Sequence, residues 1–406
     1  MSTKTIKHGF IVRHFKDYES YVAQSRHDSA FFLNSSNQHF LSGYQYIAKT
    51  GRNVVEQYLN LAFGSAITAI SNSIIAKVLQ RLQLTYYNAT FQQKFHFSDQ
   101  DVNDFFSDLY LFLDLKWPII RSWTFSELFS FLQTCCRDFH TTYKLELDFF
   151  NTHKRYQHNF CLAAYHLLRD QQQTDPLPFS HLCYLVVRSN WIDSMTQVEF
   201  KFLERFKDEI NDVLDRAQWV DELVNQPPYF NYRSLLYDVS GAKKTILYEC
   251  DNHGELLFDL LFIEQLLLNG HKVIMSTKAY PVLNDVTYAD LIQLLKTNDF
   301  KHFAHYLASS ALRLINNGSG DAIVLRYQLS LDYQQAYKAC DFVILKGQGN
   351  FESFPMKLMS YVWPKRTGYK KPHYYLFGLK SMFTCSSFKM LDSKIKLETP
   401  VCLYFA

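Results

Sequence analysis

The sequence predicts an α/β protein, with a helical N-terminal subdomain packed on a C-terminal α/β/α core whose sheet is mainly parallel. Up to about Asp170 the apolar residues recur at threes and fours, as in Phe105, Leu109, Phe112 and Leu113, which is the period of one helix face. After Gly241 short apolar runs alternate with helical patterns, the form that repeated βαβ units take in a sequence. Only 13 glycines and 10 prolines occur in 406 residues while 17% are aromatic, a balance that favours packed helices over a turn-rich all-β architecture. We therefore expect residues 1–180 to form the helical subdomain and 181–406 the core.

The punctuation supports this division. Trp117-Pro118 marks a helix boundary, because proline disfavours the α conformation in the residue before it. The run Gln171 to Pro178 reads as a polar loop, and Gln226-Pro227-Pro228 as the next. Beyond Gly241 the expected strands are Thr245 to Cys250, Lys272 to Ser276, Ala322 to Leu325, Phe342 to Leu345 and His373 to Leu379. Between them we expect helices over Gly254 to Leu268, over Val286 to Leu295 with a continuation through Asn316, and over Leu331 to Ala339.

With 48% hydrophobic residues the chain can bury a sizeable core, and 42 basic against 39 acidic residues is too balanced to predict a nucleic-acid groove or an anionic membrane partner. The eight cysteines show no pair at zinc-knuckle or thioredoxin-like spacing, so buried reduced thiols are expected. Residues Met1 to Phe10 lack the apolar segment of a secretory signal, which points to a cytoplasmic protein. The most apolar long stretch, Leu59 to Leu79, is interrupted by Asn60, Ser65, Asn72 and Lys77 and reads as a buried amphipathic helix, not a membrane span.

Chemistry concentrates at three strand ends. Asp251-Asn252 follows the first strand of the α/β half and precedes a helix, which puts it at the carboxyl edge where open α/β sheets bind ligands. An anionic and a neutral oxygen side by side suit magnesium or manganese. The same residues also read as a capping box, Asn252 with Glu255 three positions on. Pro281 to Thr287 delivers Asn284-Asp285 from the next strand to the same edge, where Asp285 reads equally as an N-cap. Lys346-Gly347-Gln348-Gly349-Asn350 follows a third strand, and its glycines allow a backbone nest for an anion beside the lysine charge.

Taken together these junctions resemble the damage-control phosphatase family of metal-dependent phosphatases. The matching text is Asp251-Asn252-His253-Gly254-Glu255 with Phe258-Asp259, then Pro281 to Thr287, then Lys346 to Glu352; a fainter match is Arg188-Ser189-Asn190-Trp191-Ile192-Asp193. The resemblance runs from about Arg188 to Lys380. It implies a divalent metal (manganese or magnesium, or else cobalt or nickel) held by Asp251, Asn252 and Asp285. It further implies that Lys346 meets the substrate phosphate and that Asn190 and Asp193 approach from the helical side. Glu255 and the amides of Gly347 and Gly349 complete the expected binding set. His253 stands where a small residue is usual, and the paired N-terminal cysteines of many prokaryotic members are missing, so residues 1–180 read as a diverged cap.

The expected activity is hydrolysis of a phosphomonoester, such as a small sugar phosphate, at Asp251, Asp285 and Lys346. Two alternatives compete with it: carboxyl methyl transfer from S-adenosylmethionine, although no glycine-rich methyltransferase loop follows the first strand, and an idle binding module on the same fold. Cys135-Cys136-Arg137-Asp138 lacks the phosphate loop of a thiolate phosphatase, and the histidines show no metal-ligand spacing. The cluster Lys365, Arg366, Lys370 and Lys371 reads as a solvated loop. A small phosphorylated substrate is the expected partner, with no nucleic acid or membrane, while a macromolecular target would engage the diverged cap.

Overall fold

The computed structural model describes residues 151–193, 198–225, 232–282, 284–320, 329–353, 371–380 and 395–405 with Phe230 and Cys385, and from the first 150 residues 6–16 and parts of 19–148. The Trp117-Pro118 boundary, the apolar stretch Leu59 to Leu79, the strand expected at Ala322 to Leu325 and most of the 365–371 cluster lie outside them.

Two compact units divide at Thr152, the second being His153–Ala406. In the first, residues 9–16 are helical and Phe15 packs edge-on against Phe112 and Phe131. The Asp108 carboxylate there accepts from the backbone N–H groups of Lys7 and His8 at 2.6 and 2.8 Å.

The second unit opens with helices. Helix α1, Asn151–Thr174, buries Lys154, Gln157, Cys161, Tyr165 and Leu168, one stripe at threes and fours. It runs into the segment expected as a polar loop, and Thr174 Oγ1 donates to the Asp170 carbonyl in its last turn. Helix α2, Phe179–Ser189, is buried from Ser180 to Ser189 and so lies at the centre of the fold. A 3₁₀ turn, Asn190–Asp193, follows, then α3, Val198–Leu214, α4, Gln218–Val224, and α5, Tyr232–Ser240. The Arg188 guanidinium forks onto both oxygens of Glu209 from α3 at 2.7 and 2.8 Å, which anchors the end of α2.

The α/β part contains β1, Thr245–Glu249; α6, Leu256–Leu268; β2, Lys272–Thr277; α7, Tyr288–Leu295; α8, Ala304–Ala308; β3, Leu312–Asn316; α9, Leu331–Ala339; β4, Phe342–Lys346; α10, Gln348–Ser353; β5, His373–Gly378; and β6, Pro400–Phe405. The sheet order is β3-β2-β1-β4-β5-β6, with every neighbouring pair parallel except β5 and β6. This is the doubly wound order, and its crevice lies beyond the carboxyl ends of β1 and β4, where successive crossovers leave in opposite directions. The fold class is the expected one. Strand β4 is buried at every position because helices cover both faces of a parallel sheet. Helix α6 is buried from Leu256 to Ile263, Asp259 included, as a central helix is.

Two elements depart from expectation. The helix expected to continue through Asn316 stops at Leu295, a separate short helix follows over Ala304–Ala308, and the chain then turns at Ser310 (φ 58°) into β3. A serine in the left-handed region breaks the helix there without the glycine that usually signals such a turn. Strand β6 was not expected; it pairs antiparallel with β5 from His373↔Phe405 to Gly378↔Pro400.

Candidate active site at the carboxyl edge of the sheet

The two acidic junctions meet. Asn252 and Asp285 form an antiparallel bridge, flanked by His253 N–H to the Asn284 carbonyl and Val286 N–H to the Asp251 carbonyl, both 2.8 Å. Main-chain hydrogen bonds thus hold Asp251, Asn252 and Asp285 side by side at the switch point. All three are buried. Among the described residues no group of three or more histidines, cysteines, aspartates and glutamates is arranged to hold a metal, so the candidate donor set is two carboxylates and one carboxamide.

Asn190 enters from the 3₁₀ turn after α2. Its Nδ2 donates to Asp251 Oδ2 (3.0 Å) and Glu255 Oε1 (2.9 Å), while its Oδ1 accepts from Gly378 N–H (3.1 Å). Asn252 Nδ2 makes the same two contacts at 2.8 and 2.9 Å, and its N–H reaches Glu255 Oε1 at 3.2 Å, half of the capping box that the sequence suggests. Two carboxamides therefore clamp two carboxylates. Asp193 closes the same 3₁₀ turn, and its side chain lies outside the described residues.

Lys346, at the end of β4, is wholly buried; its ammonium donates to Glu255 Oε2 and to the Val186 carbonyl (2.7 Å) and lies 3.2 Å from Asp259 Oδ1. Three partners match its three protons. The expected direct meeting of Lys346 with a phosphate is not what this geometry provides: the lysine stands behind Glu255 as its counter-charge. Burial disfavours the Lys346 charge, but Asp259 and Glu255 outweigh it and hold its pKa above the ordinary lysine value. Burial likewise opposes ionisation of Glu255, yet Lys346 and Lys380 keep it below the usual carboxylate range. Asp259, second in line for the same lysine, is pushed up by burial to about 7 and accepts from the Tyr248 hydroxyl at 2.8 Å.

The expected glycine nest is met only in part by the backbone: Gly347 N–H donates to the Leu376 carbonyl at 2.9 Å and so belongs to the sheet, while Gly349 lies in the first turn of α10, Gln348–Ser353. What Gly347 supplies is space. Its φ is +83°, and a Cβ there would sit 1.8 Å from Asp251 Oδ2. Asn350 ties the turn down, donating to the Cys250 and Lys346 carbonyls at 3.1 and 2.8 Å.

Two contributors carry no motif and escaped the sequence reading. Gln157 of α1 donates to the Ile192 carbonyl (3.0 Å) and accepts from Asn284 (3.2 Å), joining the 3₁₀ turn to the second acidic junction. Lys278, just past β2, is buried with Nζ 3.5 Å from Asp285 Oδ2. His253 faces His158 edge-on at 5.9 Å, and burial pushes its imidazole down to about 4. The edge thus gathers the carboxyl groups of Glu249, Asp251, Glu255, Asp259 and Asp285, all buried, against the ammonium groups of Lys278 and Lys346. The hard oxygens of Asp251, Asn252 and Asp285 side by side fit a divalent cation.

A family model described as the damage-control phosphatase ARMT1-like domain matches residues 68–393. An uncharacterized protein of Methanocaldococcus jannaschii is 30% identical over 124 residues, 30% of this chain and 37% of that protein. The damage-control phosphatase PH1575 of Pyrococcus horikoshii is 27% identical over 140 residues, 34% of this chain and 45% of that protein. The chain thus spans less than half the length of these curated relatives. The crystal structure of a DUF89 family protein from Pyrococcus horikoshii matches 82% of this chain and 96% of its own with a TM-score of 0.52 at 18% identity, a likeness of fold. With the family model covering most of the sequence, this chain belongs to the damage-control phosphatase ARMT1-like family.

Proposed function

We propose that this protein is a metal-dependent phosphatase that hydrolyses a phosphomonoester, a small sugar phosphate or related phosphometabolite, in the cytoplasm. The observation that carries this reading is the Asn252↔Asp285 bridge, which sets Asp251, Asn252 and Asp285 at one sheet edge. These three would hold magnesium or manganese, or else cobalt or nickel, and their hard oxygens suit such an ion. A bound divalent ion would supply a Lewis acid for a phosphoryl oxygen.

The chain's own residues do the rest. Asn190 and Asn252 fix the Asp251 and Glu255 carboxylates in place. Asp251 and Asp285 are the bases able to orient a water and take its proton. Lys346 keeps Glu255 ionised, so its catalytic contribution passes through Glu255. Asn190 and Asp193 close the pocket from the helical side, with Glu255 and the Gly347 to Gly349 turn as its floor.

The test is phosphate release from sugar and cofactor phosphates with added manganese, magnesium, cobalt or nickel, run beside an assay of methyl transfer from S-adenosylmethionine. Metal-dependent release that Asp251→Ala abolishes supports the reading. Methyl incorporation without phosphate release would replace it.

A further inference from the structure

We propose that Asp259 is a positioning residue for the phosphate-handling edge: by keeping or releasing one proton it decides whether the Lys346 ammonium serves Glu255 or is divided between two carboxylates. The proposal rests on reading Asp251, Asn252 and Asp285 as that edge. Lys346 has three protons and three acceptors. Glu255 Oε2 and the Val186 carbonyl (2.7 Å) hold it closely, while Asp259 Oδ1 stands at 3.2 Å, the longest contact of the three. Asp259 Oδ1 also accepts from the Tyr248 hydroxyl at 2.8 Å, but its Oδ2 is buried without a hydrogen-bond partner. An ionised carboxylate would leave that second oxygen uncompensated, so the geometry favours a proton there.

The groups that act on the Asp259 charge are Lys346 from β4, Glu255 from the turn before α6 and Tyr248 from β1, with the Cys250 thiol just past that strand. Burial raises the Asp259 carboxyl to about 7, with Lys346 opposing the rise and Glu255 reinforcing it. The proton is therefore exchanged near neutral pH. While Asp259 is neutral, Lys346 stays on Glu255. Glu255 Oε1 is then fixed by Asn190 Nδ2 and Asn252 Nδ2, both at 2.9 Å, the same two groups that hold Asp251 Oδ2 at 3.0 and 2.8 Å. When Asp259 ionises, its negative charge draws the ammonium away from Glu255, and the displacement passes through the two carboxamides to Asp251. One buried proton is thus linked to a candidate metal ligand through Lys346 and Glu255.

The experiment pairs infrared difference spectra of the full chain with manganese, titrated with pH, with rates of phosphate release over the same range, for wild type, Asp259→Asn, Glu255→Gln and Tyr248→Phe. A protonated-carboxyl band should be present in wild type, disappear as pH rises through about 7, and be absent from Asp259→Asn. Glu255→Gln removes a neighbouring negative charge and should lower the midpoint of that band by roughly one pH unit or more, while Tyr248→Phe removes a donor to the ionised form and should raise it. The rate of Asp259→Asn relative to wild type should rise on the order of tenfold from about pH 6 to about pH 8.5, because only wild type loses the Lys346 hold on Glu255. Absence of an Asp259 band, a midpoint that neither Glu255→Gln nor Tyr248→Phe moves, or a rate ratio constant within about twofold across that range overturns the proposal. A coupled Asp259 titration in a protein that hydrolyses no ester would sink the phosphatase reading and leave the link from Asp259 to Glu255 standing.

Discussion

A Cβ on Gly347 would lie 1.8 Å from Oδ2 of Asp251, so the third strand end makes room for the first. Gly347→Ala must move the Asp251 carboxylate and hold alanine at a φ of +83°. We expect a stability loss of about 1–3 kcal/mol from the backbone strain. Misplacing the carboxylate should cut phosphate release on the order of 100-fold. Melting curves and initial rates on the same preparation check both effects; unchanged turnover would show that the position of Asp251 does not matter.

Asn190 touches both carboxylates of the clamp without being a candidate metal ligand. Asn190→Ala should lower activity or manganese affinity by roughly 10–100-fold, as the loss of an orienting partner does. Manganese titration of the folded variant reads the effect directly, and wild-type affinity together with wild-type rates would remove Asn190 from the site.

Asp259 sets a pH dependence. Its carboxyl is raised from 3.8 to about 7 by burial, so the folded chain holds that proton more tightly than the unfolded one. Its contribution to stability is fully present below pH 4 and is lost as pH rises through 7. Asp259→Asn should therefore gain stability relative to wild type between pH 5 and pH 8, as followed by urea denaturation. An offset that is the same at both pH values would contradict this.

Lys346→Met leaves Glu255 buried without its counter-charge. Removing one partner of a buried ion pair costs about 3–5 kcal/mol, so the variant should unfold at markedly lower denaturant. Adding Glu255→Gln to it should restore part of the loss, which a purely steric role for Lys346 does not predict.

The parts of the site that the sequence reveals are those written as strand, polar junction, helix. Asp251-Asn252 and Asn284-Asp285 were legible because an apolar run that stops on a carboxylate before a helix points to the sheet edge. Taken singly, each reads as well as a cap, and Thr287 with Asp290 does form a full capping box one turn beyond Asp285. What local pattern cannot carry is the use of each group in three dimensions. The Gly347 amide reads as an anion donor until β5 claims it, and Lys346 reads as a phosphate ligand until Glu255, Asp259 and Val186 surround it. Lys278 was overlooked because Ser276-Thr277-Lys278 looks like a loop start, whereas β2 continues through Thr277. Strand β3 was hidden by Ser310, and β6 by its dependence on a distant partner, β5.

The central claim is that Asp251, Asn252 and Asp285 form one metal and phosphate site. It is tested most directly by manganese binding and phosphate release measured together in wild type, Asp251→Ala and Asp285→Ala. Wild type should bind one ion and lose activity to a chelator, and each variant should lose both binding and turnover while still folding. Full metal affinity and full activity in either variant would contradict the account.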